Sequence, residues 1–158
     1  MVLKYITIII FIVFCLVFLI PLLVFPGFLR GEKFKVTNKT KKISKKLRGK
    51  NKEKTLRNVF NYVKKMYSTE RYNLFIKLGS HFHRDINKLV DKKQFLPCHM
   101  QSFVLVSLLM STGQFKKEDL KKKIIMRPSI MIHEYYLIKI KDKKFKVDPF
   151  LNILQKIK

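Results

Sequence analysis

Cysteine and acidic residues are scarce in this chain of 158 residues. Only two cysteines occur, and Cys15 lies inside a hydrophobic run, so Cys98 is the only thiol outside that run and no internal disulfide forms there. Ten acidic residues stand against 35 lysines and arginines, which gives a net charge of +25. Such a charge attracts nucleic acid or anionic membranes. The basic residues are not interleaved with aromatics and no base-reading motif occurs, which disfavours nucleic acid.

Charge is absent altogether from Tyr5 through Phe25. A helix of this length matches the roughly 30 Å hydrocarbon thickness of a bilayer. A buried core helix rarely stays apolar for so long. A cleavable signal peptide would end in small residues of the Ala-x-Ala type, and none stand near Pro26. We therefore predict a retained transmembrane anchor in residues 1–28, which makes the protein a single-pass membrane protein.

Residues 29–54 carry a dense positive charge, to which Glu32 and Glu53 are the acidic exceptions. With few apolar residues and no lasting period, this stretch is predicted to be a solvated, partly disordered linker lying on anionic lipid headgroups. A lysine-rich composition without a specific partner explains the charge equally well. Because more basic residues follow the anchor than the single Lys4 that precedes it, the positive-inside rule predicts a cytosolic domain.

Residues 55–158 are predicted to form one domain, because they are enough for one hydrophobic core and not for two. Helical periodicity comes first and strand alternation follows, which indicates an α+β fold with helices packed on a small antiparallel sheet. The predicted elements are a helix from Thr55, a helix that includes Phe82 and Val90, a buried helix over Met100–Met110 that ends before Gly113, a charged helix over Lys116–Lys123, and strands over Ile130–Lys141 and Lys144–Val147.

Cys98, His133 and Asp148 are the candidates for catalysis. Cys98 precedes the buried helix, whose first N–H groups favour a thiolate and a developing oxyanion. His133 lies on one strand and Asp148 follows the next, so the chain holds a nucleophile, a base and a carboxylate to orient it. Each also has a plain structural role, as a buried thiol, a sheet histidine and a turn former.

Three stretches together resemble the transglutaminase-like superfamily: Pro97–Phe103, His133–Tyr136 and Phe145–Pro149. The resemblance implies a papain-like α+β fold with Cys98 as the nucleophile, His133 as the base, Asp148 as its orienter, and no cofactor. The chain departs from the family at Pro97, near which a glycine is common, and at Tyr135, where tryptophan is common. Double-glycine-leader cysteine peptidases are also similar, but their interval between cysteine and histidine is longer.

Two further expectations concern the site. Gln94, four residues before Cys98, is a weak candidate to donate a side-chain N–H to the oxyanion. A two-residue turn at Asp142–Lys143 would pair Leu137 with Asp148 and leave His133 about 13 Å away along the strand. Zinc is not expected, because His81 and His83 with Cys98 lack a fourth ligand at a standard spacing.

Two classes of function are consistent with these features. The first is a membrane-anchored thiol enzyme that hydrolyses or transfers the amide or peptide bonds of a protein or peptide substrate, using Cys98, His133 and Asp148. The second is a non-catalytic, basic module at the membrane surface that keeps the same fold.

Overall fold

The computed structural model describes residues 4–15, 34–69, 85–91, 93–126 and 132–157. In these residues helices precede a four-stranded antiparallel sheet, which confirms the predicted α+β class. Helix α1 covers residues 4–15. Among the described helices, none is long and apolar enough to span a membrane. Residues 16–25, the second part of the predicted transmembrane helix, lie outside the described range.

Helix α2 (Asn38–Leu47) occupies part of the predicted linker. The Thr37 side chain caps it by accepting a hydrogen bond from the Thr40 N–H at 3.2 Å. Thr40 and Ser44 are wholly buried, so the prediction of a solvated, partly disordered segment is wrong for α2. The helix was hidden in the sequence because its packing face combines only two apolar residues, Ile43 and Leu47, with the small hydroxyl residues Thr40 and Ser44.

Helix α3 (Lys52–Met66) begins before the predicted start at Thr55. The Asn51 side chain accepts a hydrogen bond from the Lys54 N–H at 2.8 Å and so caps the helix at this earlier point. Strand β1 (Tyr67–Ser68), helix α4 (Ile86–Leu89) and strand β2 (Gln94–Phe95) follow, and β1 pairs in parallel with β2. Phe82, from the second predicted helix, lies outside the described residues.

Helix α5 (Cys98–Ser111) is the predicted buried helix, and every side chain from Cys98 to Leu109 is buried. It starts directly after Pro97, whose missing N–H is no loss at a helix start. Gly113 follows its end with φ of +71°, a conformation that favours glycine, as predicted for the C-terminal cap.

The predicted charged helix over Lys116–Lys123 is wrong. A short 3₁₀ turn (Lys117–Asp119) leads directly into strand β3 (Leu120–Met126). This lysine-rich segment is extended because each of its residues pairs with strand β4 (Ile132–Ile140). Tertiary pairing outweighs the helical preference of a lysine run.

Strands β4 and β5 (Lys143–Asp148) form the predicted hairpin, and β6 (Ile153–Ile157), which was not predicted, completes the sheet in the order β3-β4-β5-β6. The turn lies at Lys141–Asp142, one residue earlier than expected, with Lys141 at φ of +54°. Leu137 therefore faces Lys146 and not Asp148, because moving a turn by one residue shifts each cross-strand partner by two.

Helix α5 is the centre of the domain. It contacts β4 of the sheet as well as α2 and α3. The core is closed by apolar side chains of α3, α5 and the helix-facing side of the sheet, which include Leu56, Val59, Val104, Leu108, Tyr136, Ile138 and Val147. The position of Cys98 at the start of this buried helix is thus fixed by the core itself.

Candidate active site

Strands β4 and β5 bring His133 and Asp148 to the open end of their hairpin. Tyr136 pairs with Val147, so Asp148 comes opposite Tyr135, two residues from His133 and on the same face of the sheet. At about 3.3 Å per residue, this separation is roughly 7 Å along the strand, which side chains can bridge. The expected 13 Å separation is therefore wrong, and the cause is the earlier turn at the other end of the hairpin.

The His133 ring and the Asp148 carboxylate are in direct contact. Nε2 of His133 lies 2.6 Å from Oδ2 of Asp148, and the two residues are 6% and 1% exposed. The second carboxylate oxygen, Oδ1, accepts a hydrogen bond from the Leu151 N–H at 3.0 Å. With both oxygens held, the carboxylate fixes the ring and its tautomer, so Nδ1 is the nitrogen that remains for proton transfer.

Cys98 is positioned beside β4 by the start of α5. The thiol is 7% exposed, and the backbone groups of Glu134 and His99 lie within hydrogen-bonding reach of it. Glu134 is the neighbour of His133 in the strand. The structure thus joins His133 to Asp148, and it places Cys98 beside the strand of His133 and near enough to the Asp148 carboxylate for that charge to raise the pKa of the thiol.

Burial raises the pKa of the Cys98 thiol to about 12. Hydrogen bonds from the backbone of Glu134 and His99 lower this pKa, and the carboxylates of Glu134 and Asp148 raise it, but desolvation is the largest effect. The backbone of His99 at the start of α5 lowers the pKa, which is the predicted direction, but the desolvation of the buried thiol outweighs this effect. The thiol keeps its proton at rest, and attack on a substrate requires a base to remove it.

Gln94 lies in β2, before the turn that leads to Cys98. Its side-chain Nε2 donates to the carbonyl oxygen of Leu89 at 3.5 Å. The oxyanion role of Gln94 stays a prediction. A second glutamine, Gln101, is wholly buried in the first turns of α5 and donates to the Leu96 carbonyl at 2.9 Å, which ties the helix start to the segment before it.

Sequence reasoning missed several neighbours of the site. The ring of Phe150 lies 6.2 Å from that of His133, measured between centroids, and covers it from one side. Glu134 is wholly buried and forms an ion pair with Lys122 at 3.5 Å. Glutamate is rarely buried without a partner, so Glu134 within a predicted strand was the available signal for a buried ion pair. Phe150 carried no such signal, since its position depends on the turn after Asp148.

In the described part of the chain, no group of three histidine, cysteine, aspartate or glutamate side chains is arranged to hold a metal ion. His81 and His83 lie outside that part.

Comparisons of this chain with models of protein families, with curated proteins and with solved structures give no match. The function of the protein therefore has to be inferred from the geometry of the site.

Proposed function

We propose that this protein is a membrane-anchored, transglutaminase-like thiol enzyme that acts on amide or peptide bonds. Cys98 is the nucleophile, His133 the base and Asp148 the residue that orients the base. The observation that carries the proposal is the 2.6 Å contact between buried His133 and Asp148, next to the helix start that holds Cys98. A nucleophile, a base and an orienting carboxylate in this order are the requirements of thiol acyl transfer.

In the proposed reaction, Nδ1 of His133 takes the Cys98 proton as the sulfur attacks the amide carbon. The N–H groups at the start of α5 stabilise the oxyanion that forms. When the C–N bond breaks, the imidazolium returns the proton to the departing amine and a thioester remains. Water then attacks the thioester, with His133 again acting as the base, and releases the acid. Hydrolysis is favoured over transfer to an amine because the superfamily that the chain resembles is mostly hydrolytic.

Because the Cys98 thiol is protonated at rest, its reactivity depends on His133 as the base that removes the proton. Without a base, a thiol whose pKa is raised to about 12 holds almost no thiolate near neutral pH. We expect His133→Ala to slow alkylation of Cys98 by iodoacetamide at about pH 6 by tenfold or more, because the imidazole no longer accepts the thiol proton. Labelling is followed by intact mass in a Cys15→Ser background, in which Cys98 is the sole thiol.

Two matched variants control this experiment. His99→Ala removes a second buried histidine next to Cys98, and its labelling should stay close to that of the parent. Asp148→Asn should slow labelling, whereas Glu134→Gln, which removes the other buried carboxylate near the thiol, should not. Labelling that is slow in the parent and indifferent to His133 would defeat the proposal of an activated thiol.

Attachment to a membrane is part of the proposal. The apolar side chains of α1 are largely exposed, and Ile9, Ile10 and Phe11 are each at least 60% exposed. An apolar surface of this kind is normally covered by lipid or by another protein. The uncharged run continues in the sequence to Phe25, which is long enough for a bilayer. The basic residues after the run favour a cytosolic position for the domain.

A second function is favoured by one observation, the burial and high pKa of Cys98. A buried thiol that keeps its proton is typical of an inert structural cysteine. On this alternative, the protein is a non-catalytic basic module at the membrane surface. The His133→Ala experiment separates the two functions, since only the enzyme requires labelling to depend on the histidine.

A further inference from the structure

The four-stranded sheet has an outer face, opposite the face whose apolar side chains pack in the core, and it carries five lysines. Along each strand, alternate residues share a face, and directly paired residues in neighbouring strands share it too. The pairing therefore places on this face Lys121 and Lys123 of β3, Lys139 of β4, and Lys144 and Lys146 of β5, together with Tyr135, Leu137, His133 and Asp148.

In the described part of the chain, these lysines have no carboxylate partners of the kind that Lys122 and Lys143 have. Lys122 pairs with Glu134 and Lys143 with Glu53, both from the other face. Among the described residues, none of the five outer-face lysines forms an ion pair with a carboxylate. Asp148, the one acidic residue on the strands of this face, is buried and held by His133.

The lysines of the outer face lower the stability of the sheet, and the fold does not require them there. Lys139 and Lys144 are directly opposite each other, and both are exposed. Like charges in this position destabilise a sheet. A bound partner with carboxylates would remove the repulsion, which indicates that the face is kept for binding.

The outer face also offers apolar surface between its charges. Leu137 lies between Lys121 and Lys146 and is half-buried, and the Lys146 ammonium sits 4.8 Å from the centre of the Tyr135 ring. Separated apolar side chains flanked by lysines fit a polypeptide better than a bare anion. The same face leads, two residues beyond Tyr135, to His133.

We propose that the outer face is a docking surface for an acidic polypeptide segment, which it delivers to the His133–Asp148 end of the sheet. The proposal rests on the proposed function and names its substrate class: proteins or peptides rich in aspartate and glutamate near the amide that reacts.

A membrane surface is the competing anionic partner, and the exposed lysines of α2 argue against it. Helix α2 packs mainly against α5 and α3. Its exposed lysines, Lys41, Lys42, Lys45 and Lys46, form a stripe close in sequence to the uncharged N-terminal run. If this stripe lies on the headgroups, α2 makes the lipid contact and the outer face of the sheet stays available to a polypeptide.

The test measures binding in the full-length chain carrying Cys98→Ala, in neutral detergent, with a fluorescent peptide in which glutamate alternates with serine. We expect the triple variant Lys139→Gln, Lys144→Gln and Lys146→Gln to weaken peptide binding about tenfold by anisotropy, since each exposed charge pair adds a small increment. The control triple Lys41→Gln, Lys42→Gln and Lys45→Gln removes the same charge from α2 and should change binding less than about twofold.

Equal weakening by both triples, or by neither, overturns the proposal, because the peptide then senses only net charge or avoids the sheet. Cys98→Ala removes the nucleophile, so this result is independent of whether the thiol is catalytic, which the labelling of Cys98 decides.

A second measurement tests the membrane as the occupant. An environment-sensitive dye is attached through Lys144→Cys on the sheet, or through Lys45→Cys on α2, in the Cys15→Ser and Cys98→Ala background. In vesicles that contain phosphatidylserine, compared with neutral vesicles, the dye on α2 should shift to the blue and the dye on the sheet should not. A blue shift at position 144 would mean that the outer face lies on lipid, and it would overturn the proposal.

Discussion

At the scale of single residues, the Cys98 proton connects the site to the stability of the protein. An ordinary thiol loses its proton near pH 9.0, whereas burial raises the pKa of Cys98 to about 12 in the folded chain. Between these values the folded protein binds more protons than the unfolded chain. The contribution of the buried neutral thiol to the unfolding free energy is therefore complete below about pH 9, and it is lost as the pH rises toward 12.

This difference predicts a specific pH dependence. Between pH 8 and pH 10, the parent should lose about 1 kcal/mol more unfolding free energy than Cys98→Ala, which has no thiol to titrate. Urea unfolding of both proteins in the same detergent measures the difference, and lysine and tyrosine titration cancels because both chains share it. Parallel loss of stability in the two proteins would mean that the thiol is not desolvated.

At the scale of elements, α2 is held to α5 by hydroxyl groups. Ser44 Oγ donates to the Leu108 carbonyl at 2.8 Å, and Ser111 Oγ donates to Thr40 Oγ1 at the same distance. Both contacts join a helix of the basic stretch to the central helix of the core. They make α2 a part of the domain and not a tether.

We expect Ser44→Ala to lower the unfolding free energy by about 1 kcal/mol, because it removes a buried hydrogen bond between α2 and α5. The matched variant Lys45→Ala, on the exposed side of the same helix, should change the stability by less than about 0.5 kcal/mol. Chemical denaturation of the two variants provides the comparison. If both behave alike, α2 does not contribute to the cooperative core.

Some elements of the fold were predictable from the sequence and others were not. Buried α5 and the β4–β5 hairpin were predictable, since a long apolar run and strict alternation leave few alternatives. The elements that carry Cys98, His133 and Asp148 were predictable for the same reason. The closeness of His133 and Asp148 was not predictable, because it depends on a turn that begins at Lys141, and a lysine at positive φ gives no sequence signal. Helix α2 and strand β3 were missed because hydroxyl packing and cross-strand pairing are tertiary effects.

At the scale of the whole molecule, the boundary of the folded domain lies before α2. A variant that begins at Phe34 keeps α2, whereas one that begins at Thr55 removes it and uncovers one side of α5. The predicted division at residue 55 would therefore cut through the packed structure.

We expect the full chain to float with liposomes and resist alkaline carbonate extraction, and the variant beginning at Phe34 to be extracted while it stays folded. The variant beginning at Thr55 should lose several kcal/mol of stability because apolar surface of α5 becomes exposed to water. Flotation assays and thermal unfolding measure the two effects. Extraction of the full chain by carbonate would contradict the membrane anchor.

The central position of α5 has one more consequence. The proposed nucleophile, Cys98, stands at the start of the buried central helix, so no hinge separates it from the body of the domain. Repacking of that core would therefore also move the Cys98 sulfur. Thermal inactivation should accordingly coincide with the melting of the domain instead of preceding it. Substitutions along α5 should alter the position of Cys98 as well as the stability of the fold.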